Sequence, residues 1–467
     1  MTSPPLRAAV IGAGPAGFYT CEHLLKEGFE VDLFDALPTP FGLVRTGVAP
    51  DHPKLKTVTR VYEKTAARPG FRFFGGVVLG EDVTREELLE RYHALVYAVG
   101  TADDNRLGIE GEDRPGSHSA TEFVAWYNGH PDYADREFDL STDRAIVIGN
   151  GNVAIDVARM LVLDPDEISV TDTADHAIDA LMRASVEHVT LLGRRGPAQA
   201  AFTNPEVREL GELKRADVVV EPAEVELDEL SARWLEEDAE PTARRNVEML
   251  RAYARRTAEA PPSKSHRIEL KFLRSPLEVI GDGADGPVSA LRVVRNRIEA
   301  DADGRLRAVS TGEQEILRCG LVMRSIGYRG RPLPGVPFDE RRGLIRNAGG
   351  RVTAEDGEPV RGEYVAGWIK RGPCGVIGTN KKDAADTVAR VLEDAAASRV
   401  NEPSEPDAEA VEHWLRARVP GLVTWAAWQS IDEHEMALGE PQGRPRVKLV
   451  SVPEMIAIAE RGAPAAR

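Results

Sequence analysis

The sequence predicts an α/β fold made of two units, each with a parallel sheet flanked by helices. Two stretches carry this prediction, residues 7–35 and residues 144–163, because each reads as a short apolar strand, a glycine turn and a helix. Apolar strand-like runs also alternate with helical stretches through much of the chain, which is typical of parallel sheets. We find no internal repeat beyond these two units.

The first glycine turn lies between a strand predicted at residues 8–11 and a helix predicted at residues 15–27. It contains the three glycines of a dinucleotide-binding fingerprint: Gly12, Gly14 and Gly17. The first allows a tight turn, the second lets backbone approach a pyrophosphate, and the third lets the helix pack on the strand. A second strand at 29–34 leads to Asp35, where a carboxylate accepts hydrogen bonds from ribose hydroxyls. The stretch predicts a site for FAD or NAD rather than NADP.

The second glycine turn, Gly149-x-Gly151-x-x-Ala154, has alanine at the third position, which the fingerprint allows. The strand predicted at 188–192 ends in Gly193, followed by two arginines instead of an acid: Arg194 and Arg195. A guanidinium binds a 2′-phosphate bidentately and leaves a plain ribose unmatched. The second glycine turn and the two arginines therefore predict a site for NADP(H). Together the two turns predict an α/β fold with two Rossmann-like dinucleotide-binding domains, one for FAD and one for NADP.

Composition excludes several classes of protein. The net charge of −17 argues against nucleic acid as a partner. Three widely separated cysteines, Cys21, Cys319 and Cys374, offer neither a C-x-x-C dithiol nor ligands for an iron–sulfur cluster. The histidines are scattered, so we predict no metal site. Without an apolar run of about 20 residues or a secretory signal, we expect a cytoplasmic protein with no membrane partner.

The remaining elements are weaker in pattern. Residues 36–56 form a long Pro- and Gly-rich loop with apolar side chains, which is typical of a functional loop. The elements that we expect after it in the first unit are a helix at 55–67, a strand at 71–79, a helix at 85–91 and a strand at 93–99. Later we expect strands of a smaller sheet at 268–272, 291–297 and, weakly, 306–309. The end of the chain predicts strands at 320–327 and 364–366, a helix at 382–396, two or three amphipathic helices and a disordered tail, 462–467.

A basic helical stretch at residues 242–259 has two interpretations. At helical spacing Arg244, Arg251 and Arg255 share one face. That face is either solvated and paired with nearby acids, or a docking surface for an acidic protein.

Over nearly its whole length the chain resembles the adrenodoxin-reductase-like ferredoxin–NADP reductases. Beside the first glycine turn, the matching blocks are LPTPFGLVRTGVAPDHPK, FRFFG, VIGNGNVAIDVAR, LLGRRGPAQAAFT, RSIGYRG and GWIKRGPCGVIGTNKKDA. The resemblance implies that an NADP domain is inserted into an FAD domain. It places the first part of the FAD domain at 1–103, the NADP domain at 104–319, and the second part of the FAD domain, with C-terminal helices, at 320–467.

The resemblance also implies site residues. Besides the glycines of the first turn, those for FAD are Ala16, Asp35, Leu43, Leu79, Trp368, Gly375, Val376 and Ile377. Those for NADP are Asn150, Gly151, Asn152, Val153, Arg194, Arg195, Glu206 and Gly375. The family usually has Glu where this chain has Asp35, and the shorter acid still reaches a ribose.

The implied reaction passes a hydride from NADPH to N5 of FAD and then single electrons to an external iron–sulfur protein. An acidic ferredoxin is expected to dock near Arg244, Arg245, Arg251 and Arg255, with Arg371. His52 is a candidate to hydrogen-bond a carboxylate or steer the nicotinamide, with Asp156 and Glu209 as its candidate partners; the alternative is that His52 only fixes a Pro-rich turn. Cofactors carry this chemistry, so it demands no acid–base residue. Other hypotheses are an NADPH-dependent monooxygenase or small-molecule reductase, and a binding protein that holds FAD structurally.

Overall fold

A computed structural model describes residues 4–283 and 285–462. The described residues divide into two compact units. The first unit comprises the described parts of Met1–Asp103, Asn128–Ala134 and Gly327–Arg467, and the second comprises Asp104–Tyr127 and Asp135–Ile326. After Gly462 the tail that we expected to be disordered lies outside the described residues.

The chain alternates strands and helices, as the sequence indicates. In chain order the strands are β1 (Arg7–Ile11), β2 (Glu30–Asp35), β3 (Phe71–Gly75), β4 (Ala94–Tyr97), β5 (Asp103–Asp104), β6 (Ser117–Ser119), β7 (Arg144–Ile148), β8 (His188–Leu192), β9 (Ala216–Val219), β10 (His266–Lys271), β11 (Arg274–Gly281), β12 (Val288–Ala300), β13 (Leu306–Arg318), β14 (Leu321–Arg324), β15 (Tyr328–Arg329), β16 (Phe338–Asp339), β17 (Leu344–Ile345), β18 (Asn347–Ala348), β19 (Arg351–Thr353), β20 (Pro359–Val365) and β21 (Val423–Thr424). The α-helices are α1 (Pro15–Lys26), α2 (Leu43–Thr46), α3 (Pro53–Lys56), α4 (Thr59–Ala66), α5 (Arg85–Leu89), α6 (Ala120–Tyr127), α7 (Asn152–Met160), α8 (Pro165–Ile168), α9 (Asp175–Met182), α10 (Asn204–Leu210), α11 (Glu229–Glu237), α12 (Pro241–Glu259), α13 (Trp368–Arg371), α14 (Thr379–Ala396), α15 (Ala408–Arg418), α16 (Trp425–Gly439) and α17 (Val452–Gly462). Among the described residues, no helix is both long enough and apolar enough to cross a bilayer.

The first unit is organised around an eight-stranded sheet in the order β18-β19-β20-β4-β1-β2-β3-β21. Its five central strands are parallel. Every residue of β1 is buried because both faces of the sheet are covered. Ala8 and Val10 belong to the core on one face, and Ala9 and Ile11 belong to the core on the other. This alternation is the period of two that a strand imposes on its side chains.

The second unit contains a fully parallel six-stranded sheet in the order β6-β14-β7-β8-β10-β9. A separate antiparallel sheet, β11-β12-β13, continues the chain after β10. Val279, Leu291 and Val293 of that sheet join Ile146 and Leu192 of the parallel sheet in one core cluster.

Several sequence expectations are corrected. The strand expected at 320–327 ends at Arg324 and pairs with β7, so it lies in the second unit and not in the final segment where we placed it. The run at 268–272 belongs to β10 of the large parallel sheet, not to the smaller sheet. A buried apolar run is compatible with either sheet, because the choice depends on strands that are distant in sequence.

The smaller sheet is larger than the sequence suggested. The weak strand at 306–309 is the start of the 13-residue β13, and β11 was not predicted. Most residues of β13 are exposed, so their polar composition hides the strand. The helix expected at 55–67 is two helices, α3 and α4. The helix expected at 382–396 begins earlier, at Thr379.

Candidate functional site

The first glycine turn follows β1 and lies against the ends of β2 and β4. Gly12 has a positive φ of 106°, and its N–H donates to the Phe34 carbonyl oxygen at 2.8 Å. A Cβ on Gly12 would lie 2.6 Å from the Ala98 carbonyl oxygen. Both the backbone conformation and the neighbouring strand therefore require glycine at this position.

The second glycine of each turn is a different case. A Cβ on Gly14 or on Gly151 would meet no protein atom within 4 Å. These residues precede α1 and α7, and neither helix N-terminus has a side-chain cap. An uncapped N-terminus beside open space offers N–H groups to an anion. Each turn therefore fits a pyrophosphate, and the protein itself gives no other steric reason for glycine there.

Asp35, at the end of β2, is fixed beside the first turn. Its Oδ2 accepts the Ala13 N–H at 2.7 Å, and its Oδ1 accepts the Leu37 N–H at 2.9 Å. Burial raises the pKa of Asp35 to about 6, and the two backbone hydrogen bonds only partly oppose that rise. Each carboxylate oxygen retains a lone pair, so the group can still accept ribose hydroxyls.

The loop after Asp35 is held against the same turn. The N–H of Phe41, a residue with φ of 85°, donates to the Ala13 carbonyl oxygen at 2.8 Å. A Cβ on Gly42 would lie 2.9 Å from the Cα of Gly14. Leu43, which begins α2, is 38% exposed. The expected FAD residue Leu43 is thus placed next to the phosphate turn.

A buried ion pair secures this loop, and sequence reasoning missed it. Arg45 in α2 makes two hydrogen bonds to Glu435 in α16, at 2.8 and 2.5 Å. Lys448 donates to the carbonyl oxygens of Arg45, at 3.0 Å, and of Asn128, at 3.1 Å. All four residues are buried. Because Arg45 and Glu435 are 390 positions apart, no local pattern signals their pairing.

Trp368 lies at the start of α13, close to the first turn. A Cβ on the preceding Gly367 would lie 2.6 Å from the Cβ of Ala16. The ring of Trp368 is 5.6 Å from that of Tyr328. The buried Nε1 donor of Trp368 has no hydrogen-bond partner among the described residues. A buried donor without a partner is costly, which fits a polar ligand at this place.

The other expected FAD residues lie in the same unit. Gly375 and Val376 are exposed, and the Val376 N–H donates to Thr379 Oγ1 at 3.1 Å, just where α14 begins. Ile377 is partly buried against the core on the α1 side of the sheet. Leu79 packs partly buried against the core on the opposite face. No contact of these four residues with a flavin is tested by the structure, so their roles stay predictions.

Arg194 and Arg195 follow β8, where the first unit has its acid. Arg194 is exposed and Arg195 is half-buried. Within the part of the chain that the structure describes, neither side chain pairs with a carboxylate. Burial and the charge of Arg194 lower the pKa of Arg195. Two adjacent cations without counter-ions favour a dianionic ligand such as a phosphate.

The side chain of Asn150 lies close to Gly193, the residue before Arg194. A Cβ on Gly193 would lie 2.7 Å from Asn150 Nδ2. This buried Nδ2 has no partner among the described residues, as is true of Trp368 Nε1. Asn152 accepts the Thr203 N–H at 2.8 Å and so ties α7 to the residue before α10. Val153 is half-buried on α7.

The predicted residues Asp156 and Glu209 meet around an arginine that we did not anticipate. Arg159, 5% exposed, lies 3.4 Å from Asp156, 3.8 Å from Glu206 and 3.3 Å from Glu209. The only sequence signal was the i, i+3 spacing of Asp156 and Arg159 on α7. His52 lies in the first unit, where its carbonyl oxygen accepts the Leu55 N–H at 3.1 Å. The roles of His52, Asp156 and Glu209 stay predictions.

The four arginines of α12 that we expected at a docking surface differ from one another. All are exposed: Arg244, Arg245, Arg251 and Arg255. Arg244 donates to the carbonyl oxygens of Leu235 and Glu236, both at 2.8 Å, and so caps the end of α11. The other three have no ion pair with any described carboxylate, which favours the docking interpretation over a paired surface. Arg371, in the first unit, donates to Asn380 at 3.0 Å.

The three cysteines form no disulfide with one another. Cys21 and Cys319 are buried, Cys374 is exposed, and all three are free. Burial raises the pKa of the Cys319 thiol to about 12 and that of Cys21 well above its usual value. The chemistry that this arrangement supports is therefore that of two bound dinucleotides.

Comparisons with known proteins agree with this geometry. Residues 6–195 match the family model described as pyridine nucleotide-disulphide oxidoreductase. NADPH-ferredoxin reductase FprA of Mycobacterium leprae is 48% identical over 96% of this chain and 97% of its own. Mitochondrial NADPH:adrenodoxin oxidoreductase of Salvelinus fontinalis is 41% identical over 97% of this chain and 91% of its own. The structure of Mycobacterium tuberculosis FprA in complex with NADPH has a TM-score of 0.90 at 47% identity, and covers 98% of this chain and 100% of that one.

The similarity to each of these two relatives covers more than nine-tenths of both chains. The chain belongs to the family of NADPH–ferredoxin reductases that includes FprA and NADPH:adrenodoxin oxidoreductase.

Proposed function

We propose that this chain carries electrons from NADPH, through FAD, to an iron–sulfur protein. The observation that carries the proposal is the opposite charge at corresponding places of the two nucleotide-binding turns. The first turn has Asp35, fixed by two backbone N–H groups, and the second has Arg194 and Arg195 without counter-ions. Two different dinucleotides, one without and one with a 2′-phosphate, match these two sites.

The first unit is the FAD domain. Its uncapped α1 N-terminus faces the pyrophosphate, Asp35 accepts the ribose hydroxyls, and the loop at Leu43 covers the turn. The donor Trp368 Nε1 is buried without a partner among the described residues, so it is available to the ring system. The bound flavin supplies the exchange between a two-electron donor and a one-electron acceptor.

The second unit is the NADP domain. The α7 N-terminus at Gly151 faces the pyrophosphate, and the guanidinium groups of Arg194 and Arg195 hold the 2′-phosphate. The free Nδ2 of Asn150 is a further donor at the same edge. Glu206 stays a predicted contact, and Asn152 acts by fixing the loop at Thr203.

The electron acceptor is an iron–sulfur protein, as the names of the relatives FprA and adrenodoxin oxidoreductase indicate. Its acidity and its docking at Arg245, Arg251 and Arg255 belong to the proposal, and the exposed, unpaired side chains support them. The three free cysteines support a reducing, cytoplasmic location.

The test of the function is an anaerobic reduction. NADPH is mixed with the FAD-loaded protein, and we expect the flavin absorption band to bleach. A purified ferredoxin and cytochrome c are then added, and we expect cytochrome reduction to accelerate strongly with ferredoxin. If ferredoxin does not change the rate of cytochrome c reduction, the proposal of an iron–sulfur protein as the electron acceptor is wrong. If oxygen is consumed with a small substrate instead, the monooxygenase hypothesis replaces it.

The cofactor assignment is tested separately with Arg194→Ala plus Arg195→Ala. Hydrogen bonds to charged groups contribute about 1.5–3 kcal/mol each, so we expect the KM for NADPH to rise at least about tenfold per arginine. The KM for NADH should change little. The matched control is Arg297→Ala on β12 plus Arg305→Ala in the turn before β13, both at exposed positions. Equal losses with NADPH and NADH would contradict the 2′-phosphate assignment.

A further inference from the structure

The surface formed by α3 and α4 has a charge opposite to that of the chain as a whole. The whole chain carries −17, whereas residues 53–68 contain five basic residues and one acidic residue, Glu63. The basic residues are Lys54, Lys56, Arg60, Lys64 and Arg68. Positive charge concentrated in an acidic protein attracts a partner of negative charge.

These cations are mostly free to meet such a partner. Lys54, Arg60, Lys64 and Arg68 are exposed. In the described parts of the chain, none of these four side chains forms an ion pair. The neighbouring Arg72 is different, because it donates to both carboxylate oxygens of Asp32, at 2.7 and 2.6 Å. The free cations are thus a property of this surface and not of every arginine or lysine nearby.

The same surface exposes apolar side chains. Leu55 is 50% exposed and Val61 is 41% exposed. Of the ten large apolar side chains that the described residues expose, these two lie only six positions apart. Single exposed apolar residues are ordinary, but their clustering inside a basic patch indicates an interaction surface.

The backbone arranges the charges and the apolar groups in adjacent rows. N–H groups of Leu55, Val58 and Val61 donate to carbonyl oxygens three residues earlier, at 3.1, 3.4 and 2.9 Å. Side chains three apart align in such a backbone, so Leu55, Val58 and Val61 form one row, and Val58 in its middle packs partly buried against the core. Lys54 and Arg60 lie on the next row, and Lys64 continues it one turn further along α4. On the other side of α4, Tyr62 and Thr65 are buried.

We propose that this α3–α4 surface, defined by Lys54, Leu55, Arg60, Val61 and Lys64, docks the iron–sulfur partner. The partner would present carboxylates around an apolar contact, the usual arrangement of a polar rim around an interface centre. The proposal rests on the proposed function. It is an alternative to docking on α12, and it places the partner on the unit that holds FAD. Pro53, which begins α3, is 11 positions after Gly42 in the loop that is fixed to the first glycine turn.

The test compares three charge reversals that each change the net charge by −4. The first is Arg60→Glu plus Lys64→Glu. The second is Arg251→Glu plus Arg255→Glu on α12. The control is Arg341→Glu plus Arg342→Glu, exposed residues in the turn between β16 and β17. Each FAD-loaded protein is titrated with a purified ferredoxin rich in Asp and Glu, at 50 and at 500 mM NaCl, and flavin content and Tm confirm that each is folded.

We expect Arg60→Glu plus Lys64→Glu to weaken ferredoxin binding about tenfold or more relative to the control at 50 mM NaCl. The difference should shrink to about twofold at 500 mM, where the Debye length is roughly 4 Å. Leu55→Ser plus Val61→Ser should weaken binding at both salt concentrations, because the apolar contact is not screened. Equal affinity of the Arg60/Lys64 variant and the control would overturn the proposal, and a loss of affinity confined to the Arg251/Arg255 variant would assign docking to α12 instead.

Two further outcomes separate the possible failures. Vesicles with and without phosphatidylglycerol are tested in parallel. If the Arg60/Lys64 reversal abolishes vesicle binding but leaves ferredoxin affinity unchanged, the surface binds anionic lipid and the proposal is wrong. If the wild-type protein reduces cytochrome c no faster with ferredoxin than without it, the proposed function is wrong and this docking proposal is wrong with it. If cytochrome reduction depends on ferredoxin but the Arg60/Lys64 variant binds ferredoxin as tightly as the control, only the docking surface is wrong.

Discussion

Replacing Glu435 by glutamine should destabilise the first unit strongly, although the two side chains have the same shape. Glu435 is fully buried. Its Oε1 accepts from Arg45 at 2.5 Å and from the Leu449 N–H at 2.8 Å, and its Oε2 accepts from Arg45 at 2.8 Å and from Arg446 at 3.3 Å. Glutamine presents an NH₂ group to one of the Arg45 donors and leaves a buried guanidinium without its counter-ion.

The magnitude follows from these contacts. Removing one partner of a buried ion pair costs about 3–5 kcal/mol. For a folding unit of 150–250 residues, 1 kcal/mol corresponds to a Tm change of about 2–4 °C. The first unit is of this size, so we expect Glu435→Gln to lower its Tm by about 6–20 °C. Arg45 also holds the loop that contacts Gly14, so bound FAD should be released below the wild-type release temperature.

Calorimetry and flavin fluorescence, recorded on the same samples at pH 7, measure both effects. Glu433→Gln is the matched control, because Glu433 is exposed on the same helix. Arg45→Met plus Glu435→Leu should recover much of the lost stability, since apolar replacement of a whole buried pair is often neutral or stabilising. A Tm of Glu435→Gln within about 2 °C of the Glu433→Gln value would refute the reasoning.

The pH dependence of this pair has a definite sign. Burial acts to raise the pKa of Glu435, but the charge and hydrogen bonds of Arg45 outweigh it, so the pKa lies below its usual value. A carboxyl group with a depressed folded-state pKa stabilises the fold above its unfolded pKa of about 4.3. That contribution is lost as the pH falls through the folded pKa. Wild type and Glu435→Gln should therefore differ most near neutral pH and converge in acid.

Two more predictions concern the FAD site. The pKa of Asp35 is about 6 in the ligand-free chain, and only the carboxylate accepts ribose hydroxyls at both oxygens, so FAD affinity should fall as the pH drops from 7 to 5. Asp35→Asn should bind FAD more weakly and lose this pH dependence. A wild-type FAD affinity that is flat between pH 5 and pH 7 would contradict the prediction. Gly14→Ala should fold with a Tm near that of wild type yet bind FAD at least about a hundredfold more weakly, because its Cβ meets only the space assigned to the pyrophosphate. Gly12→Ala, whose Cβ meets the Ala98 carbonyl, should instead unfold at a lower temperature. Equal Tm values and equal FAD affinities of the two variants, by calorimetry and FAD titration, would contradict this prediction.

The local parts of the site were predictable from the sequence. Each glycine turn is fixed by consecutive residues: a buried strand, a tight turn and a helix N-terminus. The contrast between Asp35 and the Arg194–Arg195 pair is equally local, since each follows directly on its own strand. Such features depend on backbone sterics and on charge at one position, and both are visible in a single sequence.

What the sequence did not reveal depends on residues far apart in the chain. The Arg45–Glu435 pair joins positions 390 residues apart, and β14 could be placed only by knowing that β7 offers it a free edge. The strand β13 was underestimated because an exposed strand needs no apolar pattern. In each case the structure depends on the free energy of pairing between segments that are distant in sequence. The loop-closure entropy of such a pairing, and the competing pairings, cannot be read from a short stretch of sequence.

This division also explains why the chain ends matter to the first nucleotide site. The N–H of Ala366 donates to the Tyr97 carbonyl oxygen at 2.9 Å, so the strand leading to Trp368 extends the edge at which Gly12 turns. The phosphate turn is complete within residues 7–35, but its ring-side donor and the anchor of its loop come from beyond residue 360. A fragment that ends before β20 would retain the glycine turn and Asp35, yet lack Trp368, Glu435 and Lys448. We therefore expect such a fragment to fail to retain FAD in spite of its intact fingerprint, and FAD retention after gel filtration of the fragment measures this directly.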